Sequence, residues 1–159
     1  MADKTNKVKV LDCKAADHEY LHKDFHGALC YAIDYLDRTY GSEATREYLE
    51  QVGKSFYAPL STAIKQQGLS ALEKHYRDVF TKESGKFSLN YEGDMLVLTV
   101  DECPAIAHLK KRNHFFTERF CETTVVVNQT ICNQAGYMSS CKYEPGAGRC
   151  IQKFWKAKE

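Results

Sequence analysis

The fold is decided by residues 87–100, which read FSLNYEGDMLVLTV. Apolar and polar side chains alternate on both sides of Gly93-Asp94, so Phe87 and Leu89 share one face, and Leu96 and Leu98 share the returning face. A period of two is typical of strands that bury one side, and a central glycine is typical of a tight turn. The stretch therefore predicts a β-hairpin with one apolar face.

A second hairpin is predicted at the end of the chain. Residues 137–143 and 149–155 can each form a strand, and the segment EPGAG at 144–148 supplies the proline and glycines of a turn. Two hairpins provide four antiparallel strands, which is enough for a sheet that buries one face.

Helical periodicity precedes the first hairpin and separates it from the second. We expect Ser42, Ser70 with Glu73, and Thr117 to cap three of the helices, and Pro104 to begin another. The chain is therefore predicted to be an α+β protein whose four-stranded antiparallel sheet carries helices on one face. The helices are expected at about 18–40, 42–58, 60–67, 70–84, 105–111 and 117–133.

Length and charge indicate one domain with few kinds of partner. The 159 residues are 43% hydrophobic, which suits a single domain at 17–159 after a polar tail or edge strand at 1–16. The formal net charge of +1 is mixed along the chain, so nucleic acid and membrane are not expected as partners. The start of the chain lacks a signal-peptide core, which predicts a cytoplasmic protein. The sequence is compatible with a monomer and with a homodimer.

Cysteine is abundant for such a chain. An odd number of cysteines without a secretion signal favours thiols or metal ligands over disulfides. Cys13 is expected to be incidental and Cys132 to lie in the core. The aromatic side chains at helical spacing are expected to pack between helices; they are Tyr31, Tyr35, Tyr48, Phe56 and Tyr57.

The first predicted helix carries His18, His22, His26 and Cys30 on one stripe. Imidazoles four residues apart on a helix can share a metal ion such as zinc. The alternative interpretation is that His18 and His22 are solvated and that Cys30 is a small buried hydrophobe. For His26, between Phe25 and Gly27, the sequence favours neither interpretation.

Further cysteines lie where strands meet helices or turns. Cys103 precedes Pro104, and a thiol at the first turn of a helix meets backbone N–H groups that lower its pKa; it can equally be a packed cysteine at a strand end. Cys121, Cys141 and Cys150 could form a thiolate ligand set for zinc. Alternatively, Cys141 and Cys150 are cross-strand neighbours packed under Trp155.

The order of these motifs resembles the L-2-amino-thiazoline-4-carboxylic acid hydrolase family. The resemblance covers residues 20–156 and rests on HGALCYAI at 26–33, Cys103-Pro104, Cys121 within FCE, and Cys150 ahead of Phe154-Trp155. It implies a small hydrolase that opens a cyclic C–N or thiazoline compound. The segment CKYEPGAGRC at 141–150 is also similar to the end of the vinyl-reductase-type small-molecule-binding domain, in which cysteines near the last hairpin can bind zinc.

The resemblance to the hydrolase family implies that the site residues of this chain are His26, Cys103, Cys121 and Cys150. Cys141 and the histidine stripe depart from the family's pattern. In one mechanism Cys103 or Cys121 attacks the ring as a thiolate and His26 moves the proton. In a second, zinc or another transition metal activates water, and the ligands come from Cys103, Cys121, Cys141, Cys150 and His26. In a third interpretation, the domain binds or senses a small molecule without turnover, through a cysteine-ligated zinc or redox-responsive thiols.

Overall fold

The structure, a computed structural model, describes residues 19–157. The predicted tail at 1–16, Cys13 and His18 lie outside the described residues, and so does the side chain of His22. Within the described range, no helix is both long enough and apolar enough to cross a bilayer.

Six α-helices, a 3-10 helix and one sheet make up the described part of the chain. The helices are α1 (Glu19–Tyr40), α2 (Ser42–Ser55), α3 (Ala58–Gln67), α4 (Leu69–Lys82), α5 (Pro104–Lys111) and α6 (Glu122–Ala135), with the 3-10 helix at Glu118–Cys121. The strands are β1 (Lys86–Glu92), β2 (Met95–Glu102), β3 (Tyr137–Tyr143) and β4 (Cys150–Lys156). All neighbours pair antiparallel in the order β1-β2-β4-β3, which confirms the predicted α+β fold.

The sheet separates a buried face from an open one. Leu96, Leu98 and Phe154 are fully buried, and Leu96 lies directly opposite Phe154 in the β2–β4 pair. On the other face, Met138 and Ile151 remain 43% and 41% exposed. The alternation read from the sequence therefore places the helices on one face of the sheet, as predicted.

Two clusters of buried side chains form the core. The larger lies between the sheet and helices α2, α3, α4 and α6, and the smaller joins α1 to α5 through Cys30 and Phe120. Cys103 packs against both clusters, so it marks the seam between them. Cys30 and Cys132 are 0% and 1% exposed, which confirms that each is a buried core residue.

Of the three predicted caps, only Thr117 caps a helix, and that helix is the 3-10 helix before α6. Thr117 accepts a hydrogen bond from the backbone N–H of Arg119, as expected for a cap. Ser42 is not a cap, because Gly41 is the only residue between α1 and α2. Gly41 has a φ of 88°, and this left-handed conformation separates the two helices. Ser70 is not a cap either; its hydroxyl donates to the Gln67 carbonyl oxygen, and Gly68 precedes α4.

The expectation that the aromatic side chains pack between helices was wrong for most of them. Tyr31, Tyr35 and Phe56 are 60%, 60% and 76% exposed, and Tyr48 is 39% exposed. Smaller residues pack where α1 and α2 are buried, among them Ile33 and Leu49. Helical spacing identified an aromatic face correctly but did not indicate which side of the helix faces the core.

Helices α2 and α6 approach closely at Gly53. A Cβ atom built on Gly53 would lie 2.7 Å from Cβ of Thr130, an atom fixed to the α6 backbone. Gly53→Ala is therefore expected to lower the free energy of unfolding by about 1–3 kcal/mol through overpacking. Urea unfolding followed by circular dichroism measures the change.

Gly27→Ala is the matched control, because Gly27 also lies inside a helix. A Cβ atom added to Gly27 would lie no closer than 3.9 Å to any neighbouring side chain. Alanine there is expected to raise stability by about 0.5–1 kcal/mol, since it removes the entropic cost of a helical glycine. Equal stabilisation by both substitutions would contradict the packing of α2 on α6.

Candidate functional site

The turn between β3 and β4 folds back over the start of α5. The Cys103 amide donates a 2.7 Å hydrogen bond to the Gly148 carbonyl oxygen. Gly146 and Gly148 have φ of 72° and 73°, a left-handed conformation that favours glycine. A Cβ atom on Gly148 would also meet Ile106 at 3.6 Å, so the turn lies close against α5. The glycine-rich turn therefore joins the second hairpin to the end of the first.

This arrangement brings together three cysteines that lie far apart in sequence. Cys103 immediately precedes α5, Cys121 immediately precedes α6, and Cys150 begins β4. Cys103 packs against the larger cluster together with Cys150 and against the smaller cluster together with Cys121. Negative charges on Cys103 and Cys150 would each raise the pKa of the Cys121 thiol. The sequence marked all three residues, and the structure places them in one region at the seam of the core.

His26 reaches the same region through a carboxylate. Its Nε2 atom lies 3.0 Å from Oε2 of Glu83, and the Glu83 side chain is only 7% exposed. Glu83 is close enough to Cys103 for its charge to raise that thiol's pKa. The His26 ring also meets Phe120 edge-on, with 6.2 Å between ring centroids. His26 thus lies beside Glu83, whose charge reaches Cys103, and beside Phe120, the residue that precedes Cys121.

Burial keeps two of these thiols protonated near neutral pH. It raises the pKa of Cys103, although the backbone N–H groups of Ile106 and Ala105 act in the opposite direction. The helix start therefore lowers this pKa as the sequence predicted, but burial outweighs it. Burial and the Cys103 charge raise the pKa of Cys121 to about 11. Neither thiol is primed as a thiolate in this structure.

Cys150 differs from the other thiols because two groups donate hydrogen bonds to its sulfur. The Cys141 thiol is one donor, and Nε2 of Gln152 is the other, at 3.3 Å from Sγ. These bonds lower the pKa of Cys150 to about 7, while Cys150 and burial raise that of Cys141. Cys150 is therefore the thiol of the pair that ionises first.

The strand register explains how these groups meet. Cys141 lies opposite Gln152, and Cys150 lies opposite Tyr143, so the two cysteines are diagonal neighbours on the inner face. The interpretation as cross-strand neighbours is thereby confirmed. Their predicted position under Trp155 was wrong, because Trp155 is five residues after Cys150 on the same strand and points to the opposite face.

A buried hydrogen-bonded chain fixes the orientation of Gln152. The Tyr76 hydroxyl donates to Oδ1 of Asn128 at 2.7 Å, and Nδ2 of Asn128 donates to Oε1 of Gln152 at 2.8 Å. With its oxygen held by Asn128, the Gln152 amide directs its N–H toward Cys150. All three residues are less than one tenth exposed, so water has little access to replace these hydrogen bonds.

Sequence reasoning missed Glu83, Asn128 and Gln152, although the sequence contained a signal for each. Glu83 directly follows α4 and continues the helical spacing of Tyr76 and Phe80, so its carboxylate extends the apolar face of that helix. Gln152 stands between Cys150 and Phe154 on the inward face of a strand. A polar residue at an apolar position of a periodic pattern is the kind of exception that indicates a buried network.

A groove of about 350 Å³ opens beside Cys150. It lies between the ends of three strands and the glycine-rich turn, and Lys142, Arg149 and Asp101 give it a charged rim. The volume is in the range of small-molecule sites, which begin at about 300 Å³. A second groove, of about 170 Å³, lies between α2 and α6 and is lined by neither cysteine nor histidine.

The predicted metal ligands do not form a recognisable coordination sphere. Among residues 19–157, no three His, Cys, Asp or Glu side chains are arranged so that they could hold a metal ion. The zinc set of Cys103, Cys121, Cys141, Cys150 and His26 stays a prediction, and no step below uses it. Comparison of the chain with protein-family models, with curated proteins and with solved structures finds no match.

Proposed function

We propose that this protein is a cysteine-dependent hydrolase that opens a small cyclic C–N compound of the thiazoline carboxylate type, with Cys150 as the nucleophile. The observation that carries the proposal is the pair of hydrogen bonds donated to the Cys150 sulfur by Cys141 and Gln152. Nucleophilic attack by cysteine requires the thiolate, and these bonds stabilise it at neutral pH.

The position of Cys150 supports the same assignment. Cys150 borders the groove of about 350 Å³, so a small ring held there lies beside its strand. Lys142 and Arg149 on the rim suit a substrate that carries a carboxylate. Cys103 and Cys121, the nucleophiles predicted from the sequence, have raised pKa values and suit positions that shape the site.

In the proposed reaction, the Cys150 thiolate adds to the ring carbon of the C=N group, and the ring nitrogen accepts a proton. The C–N bond then breaks, the nitrogen leaves as an amine, and water cleaves the thio-linked intermediate to regenerate Cys150. Water in the groove supplies and recovers the proton. His26, the proton carrier predicted from the sequence, lies 3.0 Å from Glu83 and is not among the residues that line the groove.

Turnover of L-2-amino-thiazoline-4-carboxylate, followed by chromatography of the ring-opened product, tests the proposal. Cys150→Ser is expected to reduce kcat/KM at least about 100-fold, because a serine hydroxyl is not ionised at neutral pH. In the native protein, turnover should rise with pH through about 7 and then level off, since Cys150 loses its proton there. Cys132→Ala is the matched control, because Cys132 is buried away from the groove.

Other results would change the identity of the nucleophile or the proposed function. Full turnover by Cys150→Ser together with its loss in Cys103→Ser or Cys121→Ser would return the nucleophile to the residue predicted from the sequence. Saturable binding of the thiazoline to native protein without any product would favour the alternative, a binding or sensor domain.

A further inference from the structure

Cys141 and Cys150 are neighbouring thiols on the same face of the sheet. Cys141 lies opposite Gln152 and Cys150 lies opposite Tyr143, so the two thiols are diagonal neighbours, and Nε2 of Gln152 donates to the Cys150 sulfur at 3.3 Å. Both cysteines are only partly buried, so a small oxidant can reach them. The arrangement places a second thiol next to the more reactive one.

We propose that a hydroperoxide oxidises Cys150 and that Cys141 then closes a reversible disulfide with it. This goes beyond the proposed hydrolysis and does not depend on it, because it needs only the two sulfurs and their neighbours. The expected oxidant is hydrogen peroxide or a small organic hydroperoxide, and the expected reductant is a dithiol.

The proposed oxidation takes place in two steps. First, the Cys150 thiolate attacks one peroxide oxygen; the S–O bond forms, the O–O bond breaks, and the departing hydroxide takes a proton to become water. Second, the Cys141 sulfur attacks Sγ of the resulting sulfenic acid; the S–S bond forms, the S–O bond breaks, and the hydroxide leaves with the Cys141 proton as water. The peroxide thus receives two electrons from the two thiols.

The end of the hairpin can accommodate the bond. Diagonal neighbours in a sheet have Cα atoms about 7–8 Å apart, and a disulfide usually requires less than about 6.8 Å. The Cα atoms of Cys141 and Cys150 must therefore move slightly closer together. This movement occurs at the last residue pair of the β3–β4 ladder, Tyr143 and Cys150. Beyond this pair the chain enters the turn with Gly146 and Gly148, whose φ values are positive. The buried pairs around Phe154 need not shift.

Oxidation would also have a consequence for the proposed hydrolase. A disulfide removes the thiolate that attacks the substrate, so the oxidised protein would be inactive until a dithiol reduces it. The same pair would then make the enzyme responsive to peroxide.

The experiment oxidises the reduced full-length chain with a small excess of hydrogen peroxide, blocks the remaining thiols and measures the mass. Cleavage after lysine and arginine isolates Cys150 in peptide 150–153. Further cleavage after Glu122 separates Cys121 from Cys141. We expect a disulfide-linked peptide that joins Cys150 to the fragment 123–142, and its loss after treatment with a dithiol.

Variants assign the partner within that fragment, which contains both Cys132 and Cys141. Cys141→Ser and Cys141→Ala should both lose the link and accumulate oxidised Cys150 instead, while Cys132→Ala and Cys121→Ser should retain it. Circular dichroism confirms that each variant is folded. A link from Cys150 to Cys121, a link that persists in both Cys141 variants, or a native protein whose Cys150 stays reduced would overturn the proposal. None of these results depends on turnover of a thiazoline.

Discussion

Asn128→Leu is expected to lower the free energy of unfolding by about 2–5 kcal/mol, because it leaves two buried polar groups without a partner. Leucine has the same branched arrangement of heavy side-chain atoms as asparagine, so the shape is largely kept while both hydrogen bonds are lost. The Tyr76 hydroxyl loses its acceptor, and Oε1 of Gln152 loses its donor. Because these residues are buried, water cannot easily replace Asn128.

The same substitution is expected to alter the chemistry of Cys150. Without Asn128, the Gln152 amide is no longer held with its N–H toward the sulfur, so the pKa of Cys150 should rise. Urea unfolding measures the loss of stability, and the pH dependence of alkylation by iodoacetamide measures the pKa. A rise in the alkylation pKa would show that the buried chain supports the thiolate.

Asn133→Leu is the matched control, since Asn133 lies on the same helix but is exposed. It should change stability by no more than about 0.5 kcal/mol and leave the alkylation profile unaltered. If Asn128→Leu behaved like this control, the series of hydrogen bonds that links Tyr76 to Cys150 would contribute neither to stability nor to the pKa of Cys150.

Most of the fold could be predicted because it depends on local periodicity. The alternation in residues 87–100 sets both the hairpin and its buried face, and glycine at 41, 68 and 136 marks the ends of helices. The two failed caps have a common cause. Where a single glycine connects two helices, its left-handed φ leaves no position for a serine cap, and a sequence pattern does not reveal how short the connection is.

The candidate site was predictable in its members but not in their roles. Cys103, Cys121 and Cys150 could be selected by residue type and position, yet their relative pKa values depend on burial and on donors from other elements. The lowered pKa of Cys150 requires Cys141 on one strand and Gln152 on the next. The role of Gln152 depends in turn on Asn128, which lies on α6. Such a chain of contacts exists only after the sheet and helices have packed.

Phe154→Ala is expected to lower the free energy of unfolding by about 3–5 kcal/mol, the range for removing a large aromatic side chain from a core. Phe154 is 0% exposed, lies opposite Leu96 across the sheet, and packs against the ring of Tyr76 with 5.5 Å between centroids. These neighbours belong to the sheet and to α4, which cannot both collapse into the space left by the ring. The cost should therefore include a cavity term as well as lost burial.

Trp155→Ala is the matched control, because Trp155 is the next residue of β4 and occupies the open face of the sheet opposite Met138. Its loss should cost no more than about 1–2 kcal/mol, since solvent already reaches this face. Trp155 is the only tryptophan in the chain, so unfolding must be followed by circular dichroism instead of fluorescence. The ratio of the two effects tests the register of β4 directly, because a shift by one residue exchanges the two faces. A larger loss from Trp155→Ala than from Phe154→Ala would show that Cys150 and Gln152 face solvent, and the site described above would then not exist.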